Sequence, residues 1–303
     1  MKVKFACPSC QSSLNKKLSI IDNCKNESCD LFNKVIPTIN GKYCLVDFSN
    51  SIISNDILLG NTQSKVDRNR TGVRGWLKNR LAYENPISTE NYDLIQEELT
   101  KKNKNSILII GGGEIGSGIQ KLFKQTEPLV IDVYLNEYVD VIADAHSLPF
   151  ENSQFDLVII QAVLEHVVEP TKCVSEIFRV LKSDGMVYAE TPFMQQVHEG
   201  AYDFHRFTKS GHRFLFKQFS EIKSGILMGL FVSFAWNISF LVQGLSRSKI
   251  LSKVVRRFLL VFRSIDSLIP YKYHLLGASA FYFLGRKSHK SLSHKEILKY
   301  YKK

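Results

Sequence analysis

Between residues 105 and 195, five short apolar runs alternate with stretches of helical periodicity. The runs fall at 106–110, 128–133, 140–142, 155–160 and 185–189. Within 170–181, Cys173, Val174, Ile177, Phe178 and Leu181 recur at helical spacing and share one face. Strands that alternate with helices in this way imply a parallel sheet covered by helices on both faces.

The first strand runs into a glycine loop. Gly111, Gly113 and Gly116 satisfy the G-x-G-x-x-G spacing between a strand and a helix, and Asp132 follows near the end of the next strand. Glycines let a ligand approach the backbone, and the acid binds ribose hydroxyls. By itself this pattern suits a nicotinamide dinucleotide and S-adenosylmethionine equally. Glu114 discriminates. It would oppose a pyrophosphate at the helix N-terminus, whereas a sulfonium and an ammonium tolerate a carboxylate there.

The 303 residues are 44% hydrophobic and 23% charged, which excludes collagen-like, low-complexity and wholly disordered chains. The net charge of +11 is concentrated at one end: residues 221–303 hold 15 Lys and Arg against 3 Asp and Glu. A basic main domain of the nucleic-acid-binding kind is therefore absent, and no nucleic acid is expected as a partner. The start, Met1 to Cys7, lacks an apolar run, so cytoplasmic residence is expected.

Five of the six cysteines lie in residues 1–48. Cys7-Pro8-Ser9-Cys10 is a tight knuckle, and Cys24 and Cys29 form a looser second pair. Two such turns bring four thiolates to a tetrahedral zinc, with Cys44 as a spare for Cys29; reduced thiols or a redox pair are the bland alternative. Residues 35–43 fit a strand, a turn and a return strand. The Cys-Pro-x-Cys knuckle followed by this hairpin resembles the zinc ribbon of the Trm112-like family, which implies a structural zinc with no open position for catalysis.

Further motifs follow in order: Asp144-Ala145-His146-Ser147-Leu148-Pro149-Phe150, Phe155-Asp156-Leu157-Val158, Val163-Leu164-Glu165-His166-Val167, and Arg179-Val180-Leu181-Lys182-Ser183-Asp184-Gly185. As a set they resemble class I S-adenosylmethionine-dependent methyltransferases, especially the methyltransferase type 11 group. The resemblance implies a Rossmann-like sheet. It places Gly111, Gly113 and Glu114 in the cofactor loop, Asp132 at the ribose, Asp144 with Ala145 at the adenine, and Gln161 in the pocket wall. Asp156 stands where the family has a structural acid. Ile109 replaces the usual loop acid, and Ile115 stands at the usual place of the third glycine.

After the fifth run comes QQVHEGAYDFHRFT, residues 195–208. It resembles a stretch of bacterial methyltransferases associated with surface-glycan and lipid gene clusters. A hydroxyl acceptor needs a base. His198 is the first candidate and His205 the second, with Asp203 or Glu199 to orient the imidazole. Arg206 either binds a substrate carboxylate or phosphate or pairs structurally with Asp203. His166 is expected to cap or pack without chemistry.

Residues 226–245 hold twenty residues without a charge, long enough to span a bilayer. Residues 249–265 are amphipathic and basic, which suits an interfacial helix, a substrate lid or simple packing. The whole is therefore read as a zinc-ribbon-like module at 1–48, a linker and helical region at 49–104, a methyltransferase core at 105–220, and an apolar, basic helical appendage at 221–303 with a final strand near 277–287. The expected activity is O-methylation of a glycan or lipid-linked intermediate at the inner membrane face, with peripheral membrane contact through 226–265. A nicotinamide-dependent oxidoreductase and a non-catalytic methyltransferase-like scaffold remain as alternatives.

Overall fold

The computed structural model describes residues 3–17, 20–54, 56, 85–112, 119 and 126–300. Gly113 and Glu114 lie outside the described residues, as does most of the expected linker. The chain divides into two compact units: one takes residues up to 160 with 169–187 and 286–288, the other 161–168, 188–285 and the residues from 289 onward.

The first unit begins with very short strands. β1 (Phe5–Ala6) pairs antiparallel with β2 (Ser13–Leu14), and β3 (Lys16–Lys17) with β4 (Ile20–Ile21). β5 (Thr38–Ile39) and β6 (Lys42–Leu45) form a hairpin. Its turn is Asn40-Gly41, with φ of +50° and +77°, the left-handed pair whose twist matches that of the flanking strands. Helix α1 (Pro86–Lys101) starts under an Asn85 side chain that accepts the Ile87 N–H, and it buries Asn91, Tyr92, Ile95 and Leu99.

The core strands are β7 (Ile107–Ile110), β8 (Leu129–Asp132), β9 (Val141–Ala143) and β10 (Phe155–Gln161), followed by α2 (Pro170–Val180). β7 is buried at all four positions and β10 at six of seven. Such unbroken apolar runs belong to strands covered on both faces. The order is β10-β7-β8-β9-β6-β5, with β10–β7, β7–β8, β8–β9 and β9–β6 all parallel. The cysteine-rich start thus joins the core sheet: Tyr43, Cys44 and Leu45 stand opposite Val141, Ile142 and Ala143. The strand order reverses at β7, between β8 and β10, and the glycine loop leaves β7 at that switch point. Ligands of open α/β sheets bind outside the strand ends there.

β11 (Leu181–Pro192) runs on into the second unit. There the order is β12 (Phe219–Met228), β13 (Ala280–Lys287), β11, so the last strand inserts between two earlier ones. Phe216 and Phe283 stack at 4.9 Å near the centre of this unit's core. Five helices complete it: α3 (Lys209–Leu215), α4 (Leu230–Ser246), α5 (Lys249–Leu260), α6 (Tyr271–Gly277) and α7 (His294–Tyr300). The expected twenty-residue apolar stretch is therefore not one element. Ile226 to Met228 close β12, Gly229 breaks the chain in an extended conformation, and α4 has only 17 residues. Among the described residues no helix is long and apolar enough to cross a membrane.

Candidate functional site

The four expected thiols converge in the first unit. Cys7 Sγ lies 3.8 Å from Cys29 Sγ and Cys10 Sγ 3.6 Å from Cys24 Sγ, and all four sulfurs fall within 4.8 Å of one another. A tetrahedral zinc with bonds of about 2.3 Å holds its sulfurs about 3.8 Å apart. The knuckles are set by backbone bonds: Gln11, at φ +61°, donates to Cys7 O, and the Leu31 N–H donates to Cys29 Sγ. Hydrogen bonds with Ser12, Cys29 and Asn26 outweigh burial and bring the Cys10 thiol down to about 6. Cys44 packs instead with Val46 and Ile142, and burial pushes its thiol up to about 11. It is not part of the group.

At the C-terminal ends of the parallel strands, Gly111 adopts φ +75° and donates to Ile131 O at 2.9 Å. Gly112, which sequence reasoning passed over, packs where a Cβ would stand 2.2 Å from Val130 Cγ1. Asp132 ends β8, is 6% exposed, and accepts the Tyr134 N–H at 3.0 Å. Asp144 follows β9. Its Oδ1 accepts the His146 N–H at 2.9 Å and His146 Nδ1–H at 2.6 Å, and Ser51 donates its hydroxyl to Oδ2. The Glu169 N–H donates to His146 Nε2 at 3.1 Å, which fixes that tautomer. Burial works against the Asp144 charge, but His146 and Ser51 hold its carboxyl below the usual range. Ala145 is buried beside it. Arg179 clamps the turn beyond by donating to Leu148 O and Phe150 O. Asp156 accepts from Ser106 N and Lys182 Nζ and serves the fold.

The second unit gathers the acidic and histidine residues. Gln161 ends β10, half-buried, and Ala162 turns the chain at φ +50°. Glu165 is 1% exposed, and its backbone carbonyl accepts the N–H groups of Phe204 and His205. Burial pushes its carboxyl up to about 8. Glu165 Oε1 stands 3.7 Å from His166 Nε2 and 4.0 Å from His198 Nε2. Asp203 Oδ2 accepts the His198 N–H at 2.8 Å and lies 3.4 Å from His198 Nδ1. Burial opposes the Asp203 charge, but Arg206 and the His198 N–H bring it down to about 2.

Arg206 is committed to this loop. It pairs with both Asp203 oxygens and donates to the carbonyls of Gln195, Gln196 and His205. Of its two expected roles, the distances give it the structural one. His205 Nε2 donates to Val168 O at 3.1 Å, so it presents no lone pair there. His166 does more than cap: it faces Glu165 and His198. Glu165 went unassigned in the sequence, because the 204–205 backbone that bonds its carbonyl lies far along the chain.

Comparison with known proteins agrees with the motifs. Residues 119–189 match the model of the methyltransferase domain family. Two Campylobacter jejuni ubiquinone/menaquinone biosynthesis C-methyltransferases, UbiE, are each 35% identical over 95 residues, which is 31% of this chain and 37% of theirs. The match thus spans little more than a third of those relatives. Among solved structures, a Burkholderia thailandensis 1,6-didemethyltoxoflavin-N1-methyltransferase with S-adenosylhomocysteine aligns at 11% identity and TM-score 0.41, over 71% of this chain and 85% of that one. A complex of the Haloferax volcanii Trm112 methyltransferase activator aligns at 14% and TM-score 0.42, over 63% and 85%. Residues 119–189 are thus similar to the methyltransferase domain family.

Proposed function

We propose that this protein is an S-adenosylmethionine-dependent methyltransferase that methylates a hydroxyl of a glycan or lipid-linked intermediate at the inner face of a membrane. The match of residues 119–189 to the methyltransferase domain is the observation that carries the reading, and it favours this cofactor over a nicotinamide dinucleotide. When bound, S-adenosylmethionine supplies a methyl group on a sulfonium sulfur. Gly111 would let it approach the backbone, Asp132 would meet its ribose hydroxyls, and the Asp144–Ala145 turn would lie along its adenine.

Acceptor activation falls to the cluster in the second unit. Asp203, engaged by Arg206 and the His198 N–H, orients the imidazole and holds the loop. The atom this loop presents for drawing a proton from the acceptor is His198 Nε2. The four thiols at the start of the chain suit a structural zinc, because their separations are those of a closed tetrahedral site.

The membrane part rests on α5. Ile250, Val254, Phe258 and Val261 are 77, 56, 65 and 73% exposed, and Lys249, Lys253 and Arg257 form the next row, also exposed. An apolar ridge flanked by cations is complementary to an anionic bilayer surface, where the apolar side chains enter the headgroup boundary.

The test is calorimetric titration with S-adenosylhomocysteine, followed by transfer of labelled methyl groups to a glycolipid extract. Binding, with the label recovered as methyl iodide when hydriodic acid cleaves an O-methyl ether, is the expected result. Binding of a nicotinamide dinucleotide alone would overturn the reading. Label on carbon, the acceptor type named for the UbiE relatives, would move it to C-methylation.

A further inference from the structure

Three donor atoms of the second unit face one another across a small gap. Glu165 Oε2 is buried and, among the described residues, has no hydrogen-bond partner. An unpaired buried carboxylate oxygen is costly, so its presence calls for a ligand or a cation. One donor atom from each of Glu165, His166 and His198 lies within 4.8 Å of the other two, and the two rings meet edge to face at 4.9 Å. At 3.7 and 4.0 Å the acid is too far from either imidazole for a hydrogen bond.

Both imidazoles are aimed by their other nitrogen. His166 Nδ1 contacts Tyr202 O at 2.8 Å. His198 Nδ1 contacts Gln196 O at 3.2 Å, with Asp203 Oδ2 at 3.4 Å. A carbonyl accepts only, so the Nδ1 atoms carry the protons and the Nε2 atoms, 3.7 and 4.0 Å from Glu165 Oε1, keep their lone pairs. Metal-bound histidines are held in the same way, one nitrogen on the cation and the other donating to a carbonyl or carboxylate. Zinc bonds of about 2.0–2.2 Å place tetrahedral donors roughly 3.3–3.6 Å apart, a few tenths of an ångström inside the 3.7 and 4.0 Å from Glu165 Oε1 to the two imidazoles.

We propose that Glu165, His166 and His198 bind a divalent transition cation, leaving its remaining positions to water or an oxygen of the acceptor. Two imidazoles and one carboxylate suit zinc, cobalt or ferrous iron better than magnesium or calcium. This centre is separate from the closed thiolate group and, unlike it, keeps an open position. With His198 Nε2 on the cation, that nitrogen no longer serves as the base; an acceptor hydroxyl coordinated there instead loses its proton to solvent more readily. That use rests on the methyl-transfer reading; the site itself does not.

The probe is zinc, counted on the full-length chain. Protein equilibrated with Zn²⁺ and desalted is expected to hold two ions. Glu165→Gln and His198→Ala should each fall to one, and Cys24→Ser should lose the other. With Co²⁺ as the probe, the second ion should show weak visible bands without thiolate charge transfer, and Glu165→Gln should abolish them while the circular dichroism is kept. One ion in the parent chain, or a second ion indifferent to both the Glu165 and His198 variants, would overturn the proposal. Titration with S-adenosylhomocysteine on the same samples separates the two readings: a chain that binds it but holds one zinc sinks this site and leaves methyl transfer standing.

Discussion

Gly112→Ala puts one methyl group into the tightest point of the switch region. The new Cβ would stand 2.2 Å from Val130 Cγ1 and 3.3 Å from Ile109 Cγ2. Carbon atoms settle at about 3.5–4.0 Å, so more than about 1 Å must be found. Val130 has little room to yield. It is 2% exposed, pairs with Ile109 in the parallel ladder, and is tied to Asp140 through both its N–H and its carbonyl. Its branched Cβ also restricts the rotamers open to it. Overpacking of this kind costs about 1–3 kcal/mol. A glycine replaced without strain would instead stabilise by about 0.4–1 kcal/mol, so even the sign is diagnostic.

Val130→Ala removes the obstructing methyl and by itself should cost about 2 kcal/mol. In the double variant the added methyl occupies part of the vacated space, and the two changes should couple by about 1–3 kcal/mol in the favourable direction. Urea unfolding of the four proteins measures the cycle. Affinity for S-adenosylhomocysteine should fall in Gly112→Ala and recover in the double variant, because displacing Gly112 moves Gly111. Additivity within about 0.5 kcal/mol, or a neutral Gly112→Ala, would refute the packing argument.

Cys24→Ser should strip the ion from the thiolate group, read by metal analysis and by earlier thermal unfolding. Asp132→Ala should weaken binding of S-adenosylhomocysteine by about 1.5–3 kcal/mol in calorimetry, the scale of hydrogen bonds made by a charged group. The lowered carboxyl of Asp144 contributes stability that is present above the ordinary carboxylate range, near pH 4, and is lost as pH falls through its folded value. Thermal melts from about pH 7 downward should therefore show Asp144→Asn weakened at neutral pH and less sensitive to acid. Changing Lys249, Lys253 and Arg257 to Glu should release the protein from anionic vesicles, as should salt, since such attraction is screened within about 10 Å at 0.1 M; retention in both conditions would count against the surface.

What the sequence disclosed follows from which interactions leave a local pattern. β7 and β10 were legible because strands covered on both faces are continuous apolar runs, and the β5–β6 hairpin because a turn of its kind needs residues such as Asn40-Gly41. The pairing of β6 with β9 was not legible. It is made by backbone groups almost a hundred residues apart, and no side-chain period records it. The break inside 226–245 was not legible, because hydropathy counts residues and does not see Gly229 in an extended conformation. In the site, Asp132 and Asp144 could be placed by distance from a strand end, whereas Glu165 could not. Glu165 stood inside the Val163–Val167 motif with nothing local to mark its carboxyl as buried, and the N–H groups of Phe204 and His205 reach its carbonyl from far along the chain.

Helix α5 carries the same lesson to the surface. Its amphipathic period is plain, and the ordinary inference is that Ile250, Val254, Phe258 and Val261 turn inward. They turn outward, while Ser252 is buried and Val255, Arg256 and Leu259 are partly covered. Arg256 lies over the Trp236 ring at 4.1 Å, so this cation belongs to the α4–α5 hairpin rather than to its charged outer face. α4 likewise exposes Phe234, Leu241 and Leu245 while burying Ser233, Ala235 and Ser239. Ser233 donates to Gly277 O in α6, and the large apolar side chains are left outside. Water offers nothing to offset that exposure, at about 25 cal/mol for each Å². On the proposed reading, the arrangement would become favourable once the outer ridge met an apolar phase, and the lysines and arginine beside it would select one whose surface is anionic.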